Sequence, residues 1–215
     1  MMHDLSRFDR QLVRLVTEDG LKLKGFADYY SADYGRDEFG VEEESLRLHD
    51  YQNFEKDILQ IEPLGLWYRF EYFQRLRPEE LYAILKARVD VFVVEQNCPY
   101  AKLDDRDQDA IHIWLEDKDG IAAYLRLLRP GVEHEYAALG RVLTLRRGRG
   151  LGRLLLSLGI DAAESEYGAE HIYLEAQTYA KGFYEKAGFR QISGEFMVDG
   201  IPHIGMVRDS TVNAK

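Results

Sequence analysis

At 215 residues, 46% of them hydrophobic and 31% charged, the chain can bury one large core or two small ones, and no apolar run approaches the roughly 20 residues of a membrane helix. The formal net charge of −10 divides into −7 over residues 1–63 and −3 over the remainder, which argues against nucleic acid as a partner because binding it needs a basic face. A single cysteine, Cys98, excludes an internal disulfide, and charges interrupt the start where a secretory leader would be apolar, so a cytoplasmic protein without membrane contact is expected.

Residues 11–17 (QLVRLVT) alternate apolar and polar, as a half-buried strand does, and Asp19-Gly20 turns them back into a second alternating run. The acidic stretch Ser31 to Glu44 reads as a loop, and Ser45–Leu48 and Phe54–Ile61 as further strands. The absence of a helical period predicts a small all-β, barrel-like domain over residues 1–63, with Pro63-Leu64-Gly65 as a linker. From Trp67 the texture becomes mixed. WYRFEYF alternates, and Pro78-Glu79-Glu80 opens a helix with Pro at a tolerated position and acids at the positive end of the dipole. Strands are predicted over 111–116 and 121–127, joined by a turn at 117–120, and over 138–145. Leu151, Leu154, Leu155, Leu158, Ala162 and Ala163 mark an amphipathic helix. The strand HIYLEA (171–176), a short helix over 180–186 ended by Gly188, and two strands flanking Asp199-Gly200 complete a second domain over 66–215.

The segment Arg146 to Arg153, RRGRGLGR, stands between a predicted strand and a helix. Gly148, Gly150 and Gly152 let the backbone turn sharply and approach a ligand closely, while the free N–H groups of the helix start and the arginines favour an anion. A pyrophosphate fits this chemistry. The segment has no Lys-Ser/Thr ending of a P-loop, and nothing before it resembles the first strand of a dinucleotide fold.

Arg147 to Gly152 resembles the acetyl-CoA motif of the GNAT acyltransferases, an Arg or Gln followed by two residues, Gly, one residue, and Gly or Ala; QTYAKGFYEKAGF (177–189) resembles their second signature. RVDVFVVEQNCPY (88–100), AYLRLL (123–128), GRV (140–142) and DGIPHIGM (199–206) look like the ElaA-like branch of that superfamily, so the likeness spans about 68–208. It implies an α+β GNAT fold, a mixed and mostly antiparallel twisted sheet flanked by helices, and an N-acetyltransferase using acetyl-CoA. The likeness assigns the pyrophosphate to Arg147, Gly148, Arg149, Gly150, Leu151, Gly152 and Arg153, and the pantetheine to Val142 and Leu143. Gln177 matches a position near the cofactor, and Tyr184 matches a tyrosine that protonates the coenzyme A sulfur. Relatives carry a slightly longer connection between GRV and the glycine loop.

The base is left open. Many relatives use a glutamate on the strand before the cradle, but 138–143 holds no carboxylate. Glu95 and His203 are the leading candidates, with Glu175 and His112 beside them; Arg126 and Arg141 could line the acceptor pocket, and Cys98 reads as a half-buried thiol. The expected acceptor is the primary amine of a small molecule or a protein, attacked directly in a ternary complex, and no residue grouping suggests a metal. The alternative is a non-catalytic acetyl-CoA sensor. Residues 1–63 resemble an Sm- or SH3-like barrel in outline and read either as a module for homodimerisation or partner binding, or as a structural appendage.

Overall fold

The computed structural model describes residues 4–48, 51–98 and 103–210. Two compact units divide the chain, one reaching up to Arg69 and including Glu116–Asp119, the other comprising Phe70–Leu115 and the residues from Gly120 onward.

In the first unit, strand β1 (Gln11–Thr17) pairs antiparallel with β2 (Lys22–Phe26) and with β6 (Ile58–Tyr72). A second sheet joins β3 (Asp28–Tyr30), β4 (Ser45–Leu48) and β5 (Tyr51–Phe54). The apolar positions of these alternating strands, among them Val13, Leu15, Leu46 and Leu48, are fully buried and share one cluster with Leu5, Phe8 and Ile58. Two expectations need correction. Residues 32–39 are not loop but a helix, α1 (Ala32–Phe39), whose start is held by the Ser31 hydroxyl accepting from the Tyr34 N–H and whose end is the left-handed Gly40. Its two aspartates and Gly35 obscured the period, yet Gly35 is needed there: a Cβ would lie 2.7 Å from the carbonyl oxygens of Val41 and Glu43. Pro63-Leu64-Gly65 is not a linker but part of β6, at a bulge where the register with β1 slips from Val13↔Pro63 to Gln11↔Trp67. Proline without an N–H and glycine at φ +66 are tolerated in a strand at such an irregularity.

The second unit begins with α2 (Pro78–Arg88), where the Glu80 carboxylate accepts from the Arg77 N–H at 2.9 Å. The helix widens into a π-helical segment, Val89–Glu95. Pro99 and Tyr100 of the QNCPY sequence lie outside the described residues. Strands β7 (Ala110–Asp117), β8 (Gly120–Leu128), β9 (Ala137–Thr144), β10 (His171–Gln177), β11 (Arg190–Val198) and β12 (Ile201–Asp209) are ordered β11-β12-β10-β9-β8-β7. The β9/β10 pair is parallel, whereas β8/β9, β10/β12 and β11/β12 are antiparallel, so this is the mixed, mostly antiparallel sheet expected. Helix α3 (Leu151–Tyr167) lays Leu155, Leu156, Ile160 and Ala163 against it, each buried leucine contributing about 1.5–3 kcal/mol. At Gly159 the helix comes so close that a Cβ would meet the Leu125 side chain at 2.7 Å. The short helix α4 (Lys181–Glu185) follows β10 after one 3-10 turn. No helix among the described residues is long and apolar enough to cross a membrane, and none of their His, Cys, Asp and Glu side chains group as a metal site.

Candidate active site

Parallel pairing of β9 with β10 lasts only from Ile172↔Ala137 to Tyr173↔Ala138, although the strands continue to Thr144 and Gln177. The cause lies in β9. Its register with β8 moves from Arg126↔Gly140 to Tyr124↔Leu143, so β9 contains one extra residue, and Arg141 takes φ +55. Such a bulge bends its strand and redirects its backbone groups. Residues 139–144 of β9 and Glu175 and Gln177 of β10 then line a cavity of about 1170 Å³ where the two strands do not pair.

Thr144 leads into the glycine loop and α3. Gly148 and Gly150 have φ of +75 and +76, and a Cβ on either would meet nothing within 4 Å. Backbone conformation therefore selects glycine here, and the space beside these residues is open. No side chain caps α3, and its first turn holds no acid. An uncapped helix start with left-handed glycines and flanking arginines suits a diphosphate. Gly152 serves packing: its Cβ would sit 3.4 Å from the Phe183 ring and 3.6 Å from the Thr144 methyl.

Of the sequence candidates, Val142, Leu143, Arg147, Gly148, Gly150, Leu151, Gly152, Arg153, Gln177, Tyr184, Glu95 and His203 all line this cavity, whereas Arg149 does not. Arg146, which the motif match leaves out, does line it and donates to the Ile121 carbonyl at 2.9 Å. The Tyr184 ring is buried on α4 against Phe183 and Phe189, and its hydroxyl has no hydrogen-bond partner among the described residues. Burial pushes its phenol well above the ordinary tyrosine value, with Tyr179 adding to the shift. Gln177 donates to the Gln96 side chain at 3.3 Å. Glu95 is ion-paired with Arg147 at 2.6 Å, both side chains about half exposed. His203 Nδ1 lies 2.8 Å from the Ile201 carbonyl; a carbonyl only accepts, so the neutral ring carries its proton on Nδ1 and its lone pair on Nε2. Glu175 lines the cavity and accepts from the Tyr173 hydroxyl at 3.3 Å. Cys98 is buried, 4% exposed, with its thiol 3.5 Å from the Asp199 carbonyl.

Two candidates belong elsewhere. His112 is fully buried between the Tyr124 hydroxyl (2.8 Å) and the Asp107 carbonyl (3.1 Å), and it does not line the cavity. Burial holds its pKa below the usual histidine value against the pull of Asp107. Arg126 is 1% exposed within an ionic cluster, where it donates twice to Asp104 (2.6 and 2.8 Å) and once to Asp107 (2.9 Å). Arg88, also 1% exposed, holds both oxygens of Asp107 at 2.8 and 2.9 Å. Arg141 adds one bond to Asp104 at 2.9 Å. Burial opposes ionisation of both aspartates, but their bonds and charges with the arginines outweigh it and hold both carboxyls below the usual range. Strands β7 and β8 are buried on both faces, so no sequence pattern separates His112 and Arg126 from residues that face the cavity.

The family model of the acetyltransferase (GNAT) domain matches residues 77–210. Protein ElaA of Escherichia coli is 37% identical over 142 residues, covering 64% of this chain and 93% of its own. The crystal structure of an acyl-CoA N-acyltransferase from Pseudomonas aeruginosa superposes with a TM-score of 0.63 at 37% identity, covering 66% of this chain and 99% of that one. The crystal structure of Escherichia coli ElaA also gives a TM-score of 0.63, at 34% identity, with 67% of this chain and 99% of that one covered.

Proposed function

The chain belongs to the acetyltransferase (GNAT) family and is an acyltransferase drawing on acyl-CoA, and from that premise we propose that it transfers the acetyl group of acetyl-CoA to a primary amine by direct attack in a ternary complex. The observation that carries this reading is the cavity opened where β9 and β10 part, ending at the uncapped, glycine-lined start of α3.

In this reading Arg147, Arg153 and the backbone N–H groups of the loop hold the pyrophosphate, and the unpaired edge at Val142 and Leu143 binds the pantetheine as an added strand would be bound. Acetyl-CoA, when bound, supplies a thioester activated toward amines. Tyr184 keeps its proton through neutral and mildly alkaline pH because its pKa is raised, and its hydroxyl, free of protein partners, donates toward the departing sulfur. His203 Nε2 takes the proton of the incoming amine; Glu95, tied to Arg147, serves the acceptor side more indirectly. Holding both reactants in one cavity lowers the barrier by several kcal/mol through positioning.

Residues 66–215 are proposed to suffice for this activity, because relatives of which 93–99% is covered match only about two-thirds of this chain. The remaining residues are proposed to be a separate module for partner binding. The experiment is coenzyme A release with a panel of amines, amino acids and peptides, run on the whole chain and on residues 66–215. Amine-dependent release by both proteins is expected. A chain that binds acetyl-CoA yet releases coenzyme A with no amine contradicts the proposed transfer, and a truncated form without a cooperative melt contradicts the proposed division.

A further inference from the structure

We propose that Arg141 is an anion subsite for the acceptor, so that the amine acetylated here carries a carboxylate close to its amino group, as an amino acid does. The proposal rests on the acyl-transfer reading of the cavity and names the substrate class for it.

Charge balance is the starting point. Among the described residues the buried cluster holds three arginines, Arg88, Arg126 and Arg141, against two aspartates, Asp104 and Asp107. Arg88 grips Asp107 through both carboxylate oxygens, and Arg126 grips Asp104 through both. Each aspartate is thereby matched. Arg141 has a single bond, to the Asp104 oxygen that Arg126 Nη2 already uses, and its other nearby counter-charge, Glu133, is bonded to Arg106 instead. A guanidinium partly removed from bulk water that shares its counter-charges with other arginines gains from a further anion.

Arg141 lies where a ligand can reach it. Arg88 and Arg126 are 1% exposed, but the Arg141 side chain is 27% exposed and lines the cavity. Its Nε is buried without a partner, while its Nη1 has no bond among the described residues and is not closed off from solvent. Of the carboxylates lining the same cavity, Glu133 is held by Arg106 at 2.5 Å and Glu95 by Arg147. A guanidinium with an open nitrogen suits a carboxylate.

Position separates this anion from the diphosphate. Arg141 is the left-handed residue of the β9 bulge, and the strand from there to Thr144 carries the chain about 10 Å toward the glycine loop. Arginine in the left-handed region is strained where glycine would not be, which favours a functional reason for keeping it. Glu175 and His203 also line the cavity and are the groups left to receive an amino group, so the lining complements a zwitterion.

The test compares phenylalanine with phenethylamine, histidine with histamine and lysine with cadaverine as acceptors, by coenzyme A release. Calorimetry then compares N-acetylphenylalanine with N-acetylphenethylamine as ligands of the protein alone. Wild type should favour the carboxylated member of at least one pair by about 100-fold in kcat/KM, and bind N-acetylphenylalanine more tightly than its counterpart. Arg141→Gln should abolish both preferences by lowering activity toward phenylalanine far more than toward phenethylamine, with acetyl-CoA still bound, and Arg141→Lys should keep part of them. Equal treatment of every pair by wild type, or an Arg141→Gln variant that loses both members equally, overturns the proposal. If no acceptor turns over, the calorimetric comparison decides in the same way. Failure of acetyl-CoA itself to bind would instead strike at the proposed function, so the two outcomes are distinct.

Discussion

Arginines meet anions in two regions of the second unit, and they do so in opposite ways. Around the start of α3, Arg146, Arg147, Arg149 and Arg153 surround three glycines on an open loop, where no acid caps the helix. Under β8 and β9, Arg88 and Arg126 are sealed against Asp104 and Asp107 with short, paired bonds. In the second region the protein supplies its own anions, and the arginines hold α2, the 104–107 segment, β8 and β9 together. In the first the pair of Arg147 with Glu95 is half exposed, and the uncapped helix start between the arginines is open to the anion of a ligand. Arg141 stands between these two uses, bonded to Asp104 on one side and open to the cavity on the other.

If this contrast is right, the two regions respond to mutation in different currencies. Arg126→Met should have the largest effect on folding, because it removes both of its bonds to Asp104 and one to Asp107 while Arg88 and Arg141 keep theirs; a loss of about 3 kcal/mol is expected in urea unfolding. Arg147→Ala should move the same transition by less than about 0.5 kcal/mol, since its pair with Glu95 is half exposed. Similar losses in both variants would erase the distinction.

Tyr184→Phe keeps the ring and its contacts with Phe183 and Phe189 but removes the proton donor. A fall in kcat of about 10- to 1000-fold is expected, with melting temperature and acetyl-CoA affinity little changed. Wild-type turnover in this variant would leave Tyr184 as a packing residue. Because its pKa is raised, the tyrosine itself should cause no alkaline loss of kcat below about pH 10.

Acid should separate the regions as well. Asp104 and Asp107 have pKa values depressed in the fold, so the unfolded chain takes up their protons first as pH falls. Their stabilisation is complete above the unfolded value of about 3.9 and is lost as pH drops from there through the lower folded values. Urea midpoints measured from pH 6 to pH 2.5 should decline below about pH 4 in wild type and less steeply in Arg126→Met. The smallest effect belongs to Glu95→Gln, which frees Arg147 from its exposed partner: acetyl-CoA should bind equally or slightly more tightly, and a marked weakening would place Glu95 at the ligand.

The same contrast explains what the sequence made legible. The glycine loop and the stretch from Gln177 to Phe189 are contiguous, so each motif displays its chemistry within a dozen or so residues. Turns were readable for the same local reason; Asp199 and Gly200 both take positive φ, as a tight hairpin needs. The ionic cluster joins positions 88, 104, 107, 126 and 141, and no local pattern links them. The β9 bulge was equally hidden, because one inserted residue leaves no mark on alternation until the partner register is known. Pro63-Leu64-Gly65 misled in the opposite sense, since residues that usually end an element also serve a bulge within one.

Calorimetry of acetyl-CoA with wild type and Gly150→Asp asks whether the start of α3 is built for a diphosphate. Aspartate enters the left-handed region more readily than most side chains, so the helix should survive at some cost in stability, while its carboxylate and Cβ enter the open space beside Gly150. Wild type is expected to bind, and the variant to bind at least about 10-fold more weakly, equal to about 1.4 kcal/mol, with the cooperative melt retained. Unchanged affinity in a folded Gly150→Asp protein would contradict a diphosphate site at this helix start.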